Sequence, residues 1–437
     1  MRKMLFFLSG LVAILVVQGS AQKVLTLKEC IDIALKNNWN YRSAVWDNKS
    51  VGNNLWSVWG RFLPRFDVSF SNNSSTLGPT SGYIDINGVP RPGTAGSRYK
   101  SYTTGVSFSQ VIFDGANVFN LSSGMAAKNS SDYFLLFSKQ NLILQVKQAY
   151  FDLLKQKMLV KVQGEAVKSS QEQLKVAQSR FELGSASKSD FLKAQVQLGQ
   201  AELQLLTYEN AVQKSKASLN AVMGQDVDYA FDVQEELGQT PMTMTYEECL
   251  KLAYQNNPLV RQSESDVDVR VGLMRAARAS YLPTVSIGGS RTWNGSALND
   301  VTLNNIRHRD YRWGVGLTVS FNLFNGFQTQ TAYLNARNDV KAANEKLEQS
   351  KSDAALEVKQ AYLDIEMYSK SILVTQQTVQ SAEEDLNLVQ EKYRLGAASI
   401  LELLDGQVSF QTAKSNDVQA LFNYNLAVAA LERAIGK

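Results

Sequence analysis

The chain has one histidine, His308, two cysteines and seven prolines among 437 residues. A single imidazole excludes a histidine-cluster metal site and any mechanism pairing a histidine base with a histidine ligand. His308 stands between Arg307 and Arg309 in a predicted loop and reads as a surface residue. No P-loop, no G-x-S-x-G and no metal-ligand spacing occurs, so nothing points to an enzyme or a cofactor. The net charge is +4, and Arg2 and Lys3 fall in a segment expected to be removed. The remainder, about +2, is too little to argue for nucleic acid. Beyond the N-terminus no stretch reaches the roughly 18 apolar residues of a transmembrane helix.

What is present describes a folded, exported chain. Apolar residues make up 44% and charged residues 20%, which excludes a wholly disordered chain. Met1-Arg2-Lys3, an apolar run from Met4 to Val17 and Gln18-Gly19-Ser20-Ala21 read as a secretory signal peptide over residues 1–21. No cysteine follows that run, so lipid attachment at an N-terminal cysteine is not expected. Cys30 and Cys249 lie on amphipathic segments and are expected to be two separate buried thiols rather than a bridge.

The chain is written twice. Leu27-Lys28-Glu29-Cys30-Ile31-Asp32-Ile33-Ala34-Leu35-Lys36-Asn37-Asn38 recurs, 219 positions on, as Tyr246-Glu247-Glu248-Cys249-Leu250-Lys251-Leu252-Ala253-Tyr254-Gln255-Asn256-Asn257. The offset holds to Leu63-Pro64 and Leu282-Pro283, and Phe113-Asp114-Gly115 answers Phe324-Asn325-Gly326. Val146 to Tyr150 recurs as Val358 to Tyr362, and Phe181-Glu182-Leu183-Gly184 as Tyr393-Arg394-Leu395-Gly396. The expected units are residues 22–224 and 246–437, joined by a linker over 225–245.

Within each unit the hydrophobic period changes in a fixed order. A helix is expected from about Thr26 to Arg61, stopped by Pro64. Phe66, Val68 and Phe70 then alternate with polar residues as a strand, a loop runs from Asn72 to Ser97, and alternation resumes over Tyr102–Phe113. In the second copy Trp313, Val315, Leu317, Val319, Phe321 and Leu323 face one way. Strands are thus placed at about 65–113 and 284–324. Helices without proline follow, over about 115–223 and 326–435. Val146, Leu153, Val160, Val167, Leu174 and Phe181 recur every seven residues, as do Val358, Ile365, Ile372, Val379, Leu386 and Tyr393. That repeat implies left-handed supercoiling of packed helices. The chain then turns at Gly184-Ser185-Ala186-Ser187 and Gly396-Ala397-Ala398-Ser399.

Two-faced strands have two readings. The apolar face is buried on a helix, or it meets lipid while the small polar face meets water. In the second case Tyr99, Tyr102, Tyr311 and Trp313 at one end, and Phe113 and Phe324 at the other, form aromatic girdles. Four strands cannot close a barrel, so the lipid reading requires several copies.

These features together resemble the TolC-like outer-membrane efflux family, over essentially all of residues 22–437. The resemblance rests on the double repeat, on Leu25 to Asn38, on both Leu-Pro pairs, and on Arg180-Phe181-Glu182-Leu183-Gly184 beside Lys392-Tyr393-Arg394-Leu395-Gly396 followed by Leu401 to Asp405. It implies an α+β membrane protein made of a duplicated helix, β-hairpin and long helical hairpin. Four strands per chain would join a shared trimeric twelve-stranded barrel in the outer membrane, continued by an α-helical coiled-coil barrel in the periplasm. It also implies a passive channel for exported small molecules or proteins. Its partners would be a periplasmic adaptor, an inner-membrane pump and outer-membrane lipid, with no nucleic acid and no cofactor.

The resemblance also assigns residues. Glu402 and Asp405, on one helix face, match a pair of acids lining the pore aperture. Asp190 and Tyr393 match a hydrogen bond that holds the tip closed. Gly184, Ser185, Gly396 and Ala397 match tips that touch the adaptor. Some relatives place an arginine where this chain has Ala398, so a closing salt bridge from that site is absent. Charge adds a point of its own: Lys155–Lys193 holds eight basic and four acidic residues, and Met367–Asp405 holds three and six. Such opposite bias would order the hairpins in a ring, basic beside acidic. The competing reading of the whole chain is an exported coiled-coil scaffold or adhesin without a pore.

Overall fold

The structure is a computed structural model and describes residues 23–235, 242–302 and 311–437. The expected signal peptide, His308 and part of the linker lie outside the described residues. Strand β1 (Lys23–Leu25) leads into helices α1 (Leu27–Asn37) and α2 (Trp39–Gly60), strand β2 (Arg65–Leu77), a short pair β3 (Tyr83–Ile84) and β4 (Pro90–Arg91), strand β5 (Ser97–Phe113), and helices α3 (Gly115–Glu182) and α4 (Lys188–Met223). After β6 (Phe231–Val233) the order repeats as α5 (Tyr246–Asn256), α6 (Pro258–Ala279), β7 (Thr284–Gly295), β8 (Tyr311–Ser320), α7 (Gln328–Arg394) and α8 (Ile400–Ala434). Helices α3 and α7 have 68 and 67 residues, so each is about 100 Å long at 1.5 Å per residue.

The single helix expected over 26–61 is two helices. Asn38 leaves the helical conformation, accepts from the Tyr41 amide at 3.0 Å to start α2, and donates to the Val222 carbonyl at 2.9 Å. Asn257 does the same with the Leu259 amide and the Ala434 carbonyl. The duplicated Asn-Asn pair is therefore a helix stop whose side chain also binds the end of the return helix. Gly224 and Gly436 complete the joint: both have positive φ, and an added Cβ would meet the Asn37 or Asn256 backbone within 2.7 Å. The strand reading also fell short. β2 runs on to Leu77 and β5 begins at Ser97, so the polar Asn72–Leu77 stretch is paired rather than looped. Serine and asparagine are poor strand formers, and thirteen cross-strand partners outweigh that local preference.

The cores follow the seven-residue frame. Val146, Leu153 and Val167 are buried on α3, and Val358, Ile365, Ile372, Leu386 and Tyr393 on α7. One core joins Cys30 and Ala34 to Val146, Tyr150, Leu219 and Phe231; the equivalent core joins Cys249 to Val358, Ile365, Tyr424 and Leu431. The cysteines are free, one in each core, as expected. Burial pushes the Cys30 thiol up to about 12. β1 pairs in parallel with β6 and fastens the start of the linker to the first core, which holds Leu25, Phe231 and Val233.

Neighbour relations are linear at every level. The sheet runs β2-β5-β7-β8, all antiparallel. Beside the sheet the helices run α2-α3-α6-α7, and toward the far end α4-α3-α8-α7. Contact between α3 and α6 is close enough that a Cβ at Gly272 would lie 2.8 Å from Ser123, whose hydroxyl donates to the Val269 carbonyl. The protomer is thus a slab with two open sides, one formed by β2, α2 and α4 and the other by β8 and α7.

An ion cluster ties α3 to β6 and the segment after it. Lys157 Nζ lies 2.7 Å from both Asp232 and Glu235, and Lys161 also reaches Glu235. Burial would raise the Asp232 pKa, but the Lys157 hydrogen bond and the Val233 amide lower it on balance. The Lys157 and Lys161 hydrogen bonds lower Glu235. Depressed carboxylate pKa values stabilise the fold above the unfolded values and lose that contribution as pH falls through the folded ones. The stability gap between wild type and Lys157→Met, about 0–1 kcal/mol at pH 7, is therefore expected to close below about pH 4. Thermal midpoints of the two proteins in detergent across pH 3 to 7 check this.

Candidate functional site

The far end of the slab is built from two copies of one turn. Helix α3 closes with Ser185 N–H donating to the Arg180 carbonyl and Gly184 N–H to that of Phe181; α7 closes likewise, from Ala397 to Lys392 and from Gly396 to Tyr393. Gly184 and Gly396 have φ of +72° and +79°. Such a left-handed residue is what ends a helix this way, and glycine adopts it without a Cβ penalty. A Cβ at either position would meet nothing within 4 Å, so inside the protomer the glycines serve the turn rather than a close approach. Three residues later Ser187 and Ser399 start the return helices, each in a reciprocal box with Asp190 and with Glu402.

This symmetry bears on the expected site residues. Asp190 and Glu402 occupy the same position of the two turns. The Asp190 carboxylate accepts from the Ser187 amide and hydroxyl at 3.2 and 2.8 Å. Glu402 accepts from Ser399 at 3.3 and 2.9 Å. Glu402 and Asp405 are both exposed on one face of α8, between buried Leu403, Leu404, Gly406 and Gln407. The structure brings these two acids together. It does not join Asp190 to Tyr393 within the protomer. Asp190 is engaged by Ser187, and the Tyr393 ring is buried against Leu386, Ile400, Leu403 and Leu404. Ser185 and Ala397 are exposed at the turn tips, and Ala398 packs against the α7–α8 tip core.

Sequence reasoning missed the group that does cross between the hairpins. The Arg180 guanidinium stacks 4.5 Å from the Tyr393 ring centroid, and Nη2 donates to the Tyr393 and Arg394 carbonyls at 3.0 and 3.1 Å. A cation on the last carbonyls of a long helix meets the negative end of its dipole. Arg180 and Tyr393 were both within the quoted motifs, but only the fold shows that they meet. Farther from the tip Lys414 pairs with Glu165 at 2.9 Å, again between hairpins. Two exposed leucines were also missed. Leu183 and Leu395, 82% and 72% exposed, precede the two glycines and stand off the seven-residue frame.

At the other end the pairing register sorts the strands into two faces. Cross-strand partners share a face, so Phe66, Phe108, Gly289 and Val315 lie on one side, with Val68, Val106, Arg291 and Trp313 beside them. The opposite side is Asp67, Ser107, Ser290 and Gly314, then Ser69, Gly105, Thr292 and Arg312. Trp313, Val315, Leu317 and Val319 are each more than half exposed, and the helices pack on one another rather than on this face. The buried-layer reading is therefore excluded. The girdle needs one correction: Tyr102, Tyr311 and Trp313 are on the apolar face, but Tyr99 pairs with Ser75 on the polar one. At the opposite end Trp59 with Phe62 and Phe324 with Phe327 form aromatic pairs. No described helix is long and apolar enough to cross a membrane. Among the described residues no group of side chains could hold a metal.

Known proteins carry the same arrangement. The sequence profile of the outer membrane efflux protein family matches residues 30–225 and 249–437. The chain belongs to the outer membrane efflux protein family. It is 25% identical over 337 residues to outer membrane protein TolC of Vibrio cholerae, spanning 76% of each chain. It is 23% identical over 438 residues to alkaline protease secretion protein AprF of Pseudomonas aeruginosa, covering 99% of this chain and 88% of the relative. Its fold matches the outer membrane channel CmeC of Campylobacter jejuni with a TM-score of 0.81 at 17% identity, over 94% of this chain and 85% of the other. The efflux-family fold, a mixed helical and sheet architecture, and an outer-membrane location are thereby established.

Two outcomes follow for the tip of this efflux protein. Arg180→Ala removes two charge-assisted hydrogen bonds and the ring contact, about 1–3 kcal/mol for a partly buried charged donor. It is expected to raise open-channel events in single-channel recordings, while Arg180→Lys restores part of the wild-type behaviour. The two acids should also separate. Asp405→Asn is expected to change ion selectivity without altering α8, whereas Glu402→Ala also removes the reciprocal half of the capping box, the bonds from the Ser399 amide and hydroxyl. Hydrogen exchange at the first turn of α8 distinguishes them, and Glu402→Gln should retain the cap.

Proposed function

We propose that three copies close side to side, β8 and α7 of one against β2, α2 and α4 of the next. This makes a twelve-stranded outer-membrane barrel continued by a periplasmic helical tunnel. The sheet carries this reading: it has a lipid-compatible face, a small polar face and two unpaired edges. Unpaired backbone groups are not tolerated in hydrocarbon, so more copies must supply partners. The open sides of the helical layer support the same closure. Trp46 and Trp56 on α2, Val196, Leu203 and Leu206 on α4, and Leu363, Leu373 and Val374 on α7 are all exposed in the single protomer.

The assembly is an outer-membrane channel of efflux or secretion systems. On our reading it conducts passively. The chain carries no nucleotide-binding motif, and energy comes from an inner-membrane pump through a periplasmic adaptor. Transport without chemical turnover fits a family of channels. The adaptor would grip the tips at Gly184, Ser185, Gly396 and Ala397, with Leu183 and Leu395 as apolar knobs beside them. Glu402 and Asp405, three copies of each, would ring the aperture. Asp190 and Tyr393, unjoined within a protomer, would act in the gate only through a neighbouring copy. The expected units remain residues 22–224 and 246–437 with the linker 225–245, and the expected leader remains 1–21.

Planar-bilayer recording of the detergent-purified protein tests the reading. The expected result is a detergent-bound trimer giving discrete, cation-preferring steps. A water-soluble species without conductance would replace the channel with the exported scaffold.

A further inference from the structure

We propose that the outward face of the barrel holds a specific site for a phosphorylated lipid of the outer leaflet, centred on Arg291. The inference rests on the barrel reading above. Among the described residues, the outward positions of β2, β5, β7 and β8 carry three charged side chains, Arg98, Lys100 and Arg291, and no carboxylate. Arg98 and Lys100 stand far out on β5, beyond Tyr102. Arg291 does not; it sits among apolar residues, with Val106 on one side and Trp313 on the other.

Its surroundings form a hollow of about 570 Å³. The floor is Gly289, where a Cβ would lie 2.5 Å from the Phe108 ring, so only glycine admits that ring. Phe66, Phe108 and Val315 make the apolar part of the wall. At the outer end the guanidinium lies 4.3 Å from the Tyr311 ring centroid and 4.9 Å from that of Trp293. Flat stacking of this kind holds an arginine in place and leaves its edge donors free. Among the described residues Arg291 has no ion-pair partner. The nearby turn at Leu298–Val301 brings one acid, Asp300, whose carboxylate accepts from the Ala297 amide.

Trp293 lines the hollow but is 7% exposed, and its Nε1 is closed off from it. It walls the site and stacks on the guanidinium rather than binding a ligand. A phosphate oxygen would pair with the edge donors of Arg291, and an acyl chain would fill the hollow below them.

Depth agrees. From Thr284 to Arg291 β7 advances seven residues, roughly 23 Å along the strand and less along the barrel axis because strands tilt. That leaves Arg291 in the outer part of an apolar band about 25 Å tall, level with Trp313 and beside the Trp293–Tyr311 pair, where a lipid-facing arginine costs less than at the midplane. A zwitterionic headgroup offers a phosphate beside its own cation, whereas a phosphomonoester offers uncompensated charge to Arg291, the one cation lining the hollow. The favoured ligand is therefore an anionic phosphorylated lipid.

Native mass spectrometry of the detergent-purified trimer, titrated with bis-phosphorylated lipid A, tests the site. Wild type is expected to retain up to three lipids per trimer, and dephosphorylated lipid A or phosphatidylethanolamine to bind at least about fivefold less. Arg291→Gln should lose the phosphate preference while trimer mass and channel conductance stay unchanged. Arg312→Gln, on the lumen side of the same sheet, should keep it. Equal binding of phosphorylated and dephosphorylated lipid by wild type overturns the proposal, with no need for any variant to fold. So does equal loss in Arg291→Gln and Arg312→Gln. A detergent-bound trimer without phosphate-dependent binding sinks this inference alone; failure to obtain such a trimer sinks the barrel reading first.

Discussion

An antiparallel sheet in hydrocarbon has nowhere to put an unpaired backbone edge, and this protomer has two such edges. Everything else about the chain answers that constraint. Strand order β2-β5-β7-β8 leaves β2 and β8 open, and the helical layers are open on the same two sides. A single rotation that pairs β8 with the next β2 therefore also brings α7 against the next α2 and α4. The duplication makes this economical. Two similar units side by side already approximate the contact that a neighbouring copy must repeat.

The two units are held in register by devices that look minor in sequence. Asn38 and Asn257 each end one helix, start the next and bind the last carbonyls of the return helix. Each is buried and both donates and accepts, and such a side chain cannot slip without leaving polar groups unpaired. Gly224 and Gly436 close the same joint from the other side. The cysteine-centred cores are separate, one per unit, and the units join where α3 packs on α6 and α8 and β5 pairs with β7.

Long-period features were legible in the sequence, and short-range competition was not. The seven-residue frame marked Val146, Leu153, Val358, Ile365 and Tyr393, all buried, because a strict repeat over 67 or 68 residues has no alternative packing. The break at Asn38 was missed because periodicity continues across it, and only the side-chain bonds reveal the stop. The polar end of β2 was missed because its residues prefer loops when isolated. Tyr99 was grouped with Tyr102 by its place near the strand end, although three residues of alternation already set the two on opposite faces. For the tip, spacing showed that Glu402 and Asp405 share a helix face. It did not show that Asp190 and Glu402 are one position written twice, each already bonded to the serine that caps its helix.

On the proposed reading, in which three tips ring the aperture, that last point limits how the opening can change size. A carboxylate held by its own Ser399 amide and hydroxyl moves with the first turn of α8. Ile400, Leu403 and Leu404 in turn fasten that turn to Leu386 and Tyr393 of α7. Rotation of the Glu402 side chain alone gives up its bonds to Ser399, whose hydroxyl still caps the helix at the Glu402 amide; a larger widening moves the α7–α8 hairpin as one packed body. The contacts that oppose such a shift lie between hairpins and include Gln407 with Ser170, Gln411 with Gln163, Lys414 with Glu165, and Arg180 with the end of α7. Arg180 grips carbonyls rather than a charged side chain. Its hold therefore depends on the direction of the α7 axis, and tilting that helix breaks both hydrogen bonds together. A chain with Ala398 in place of a charged tip residue can in this way still resist opening through helix geometry.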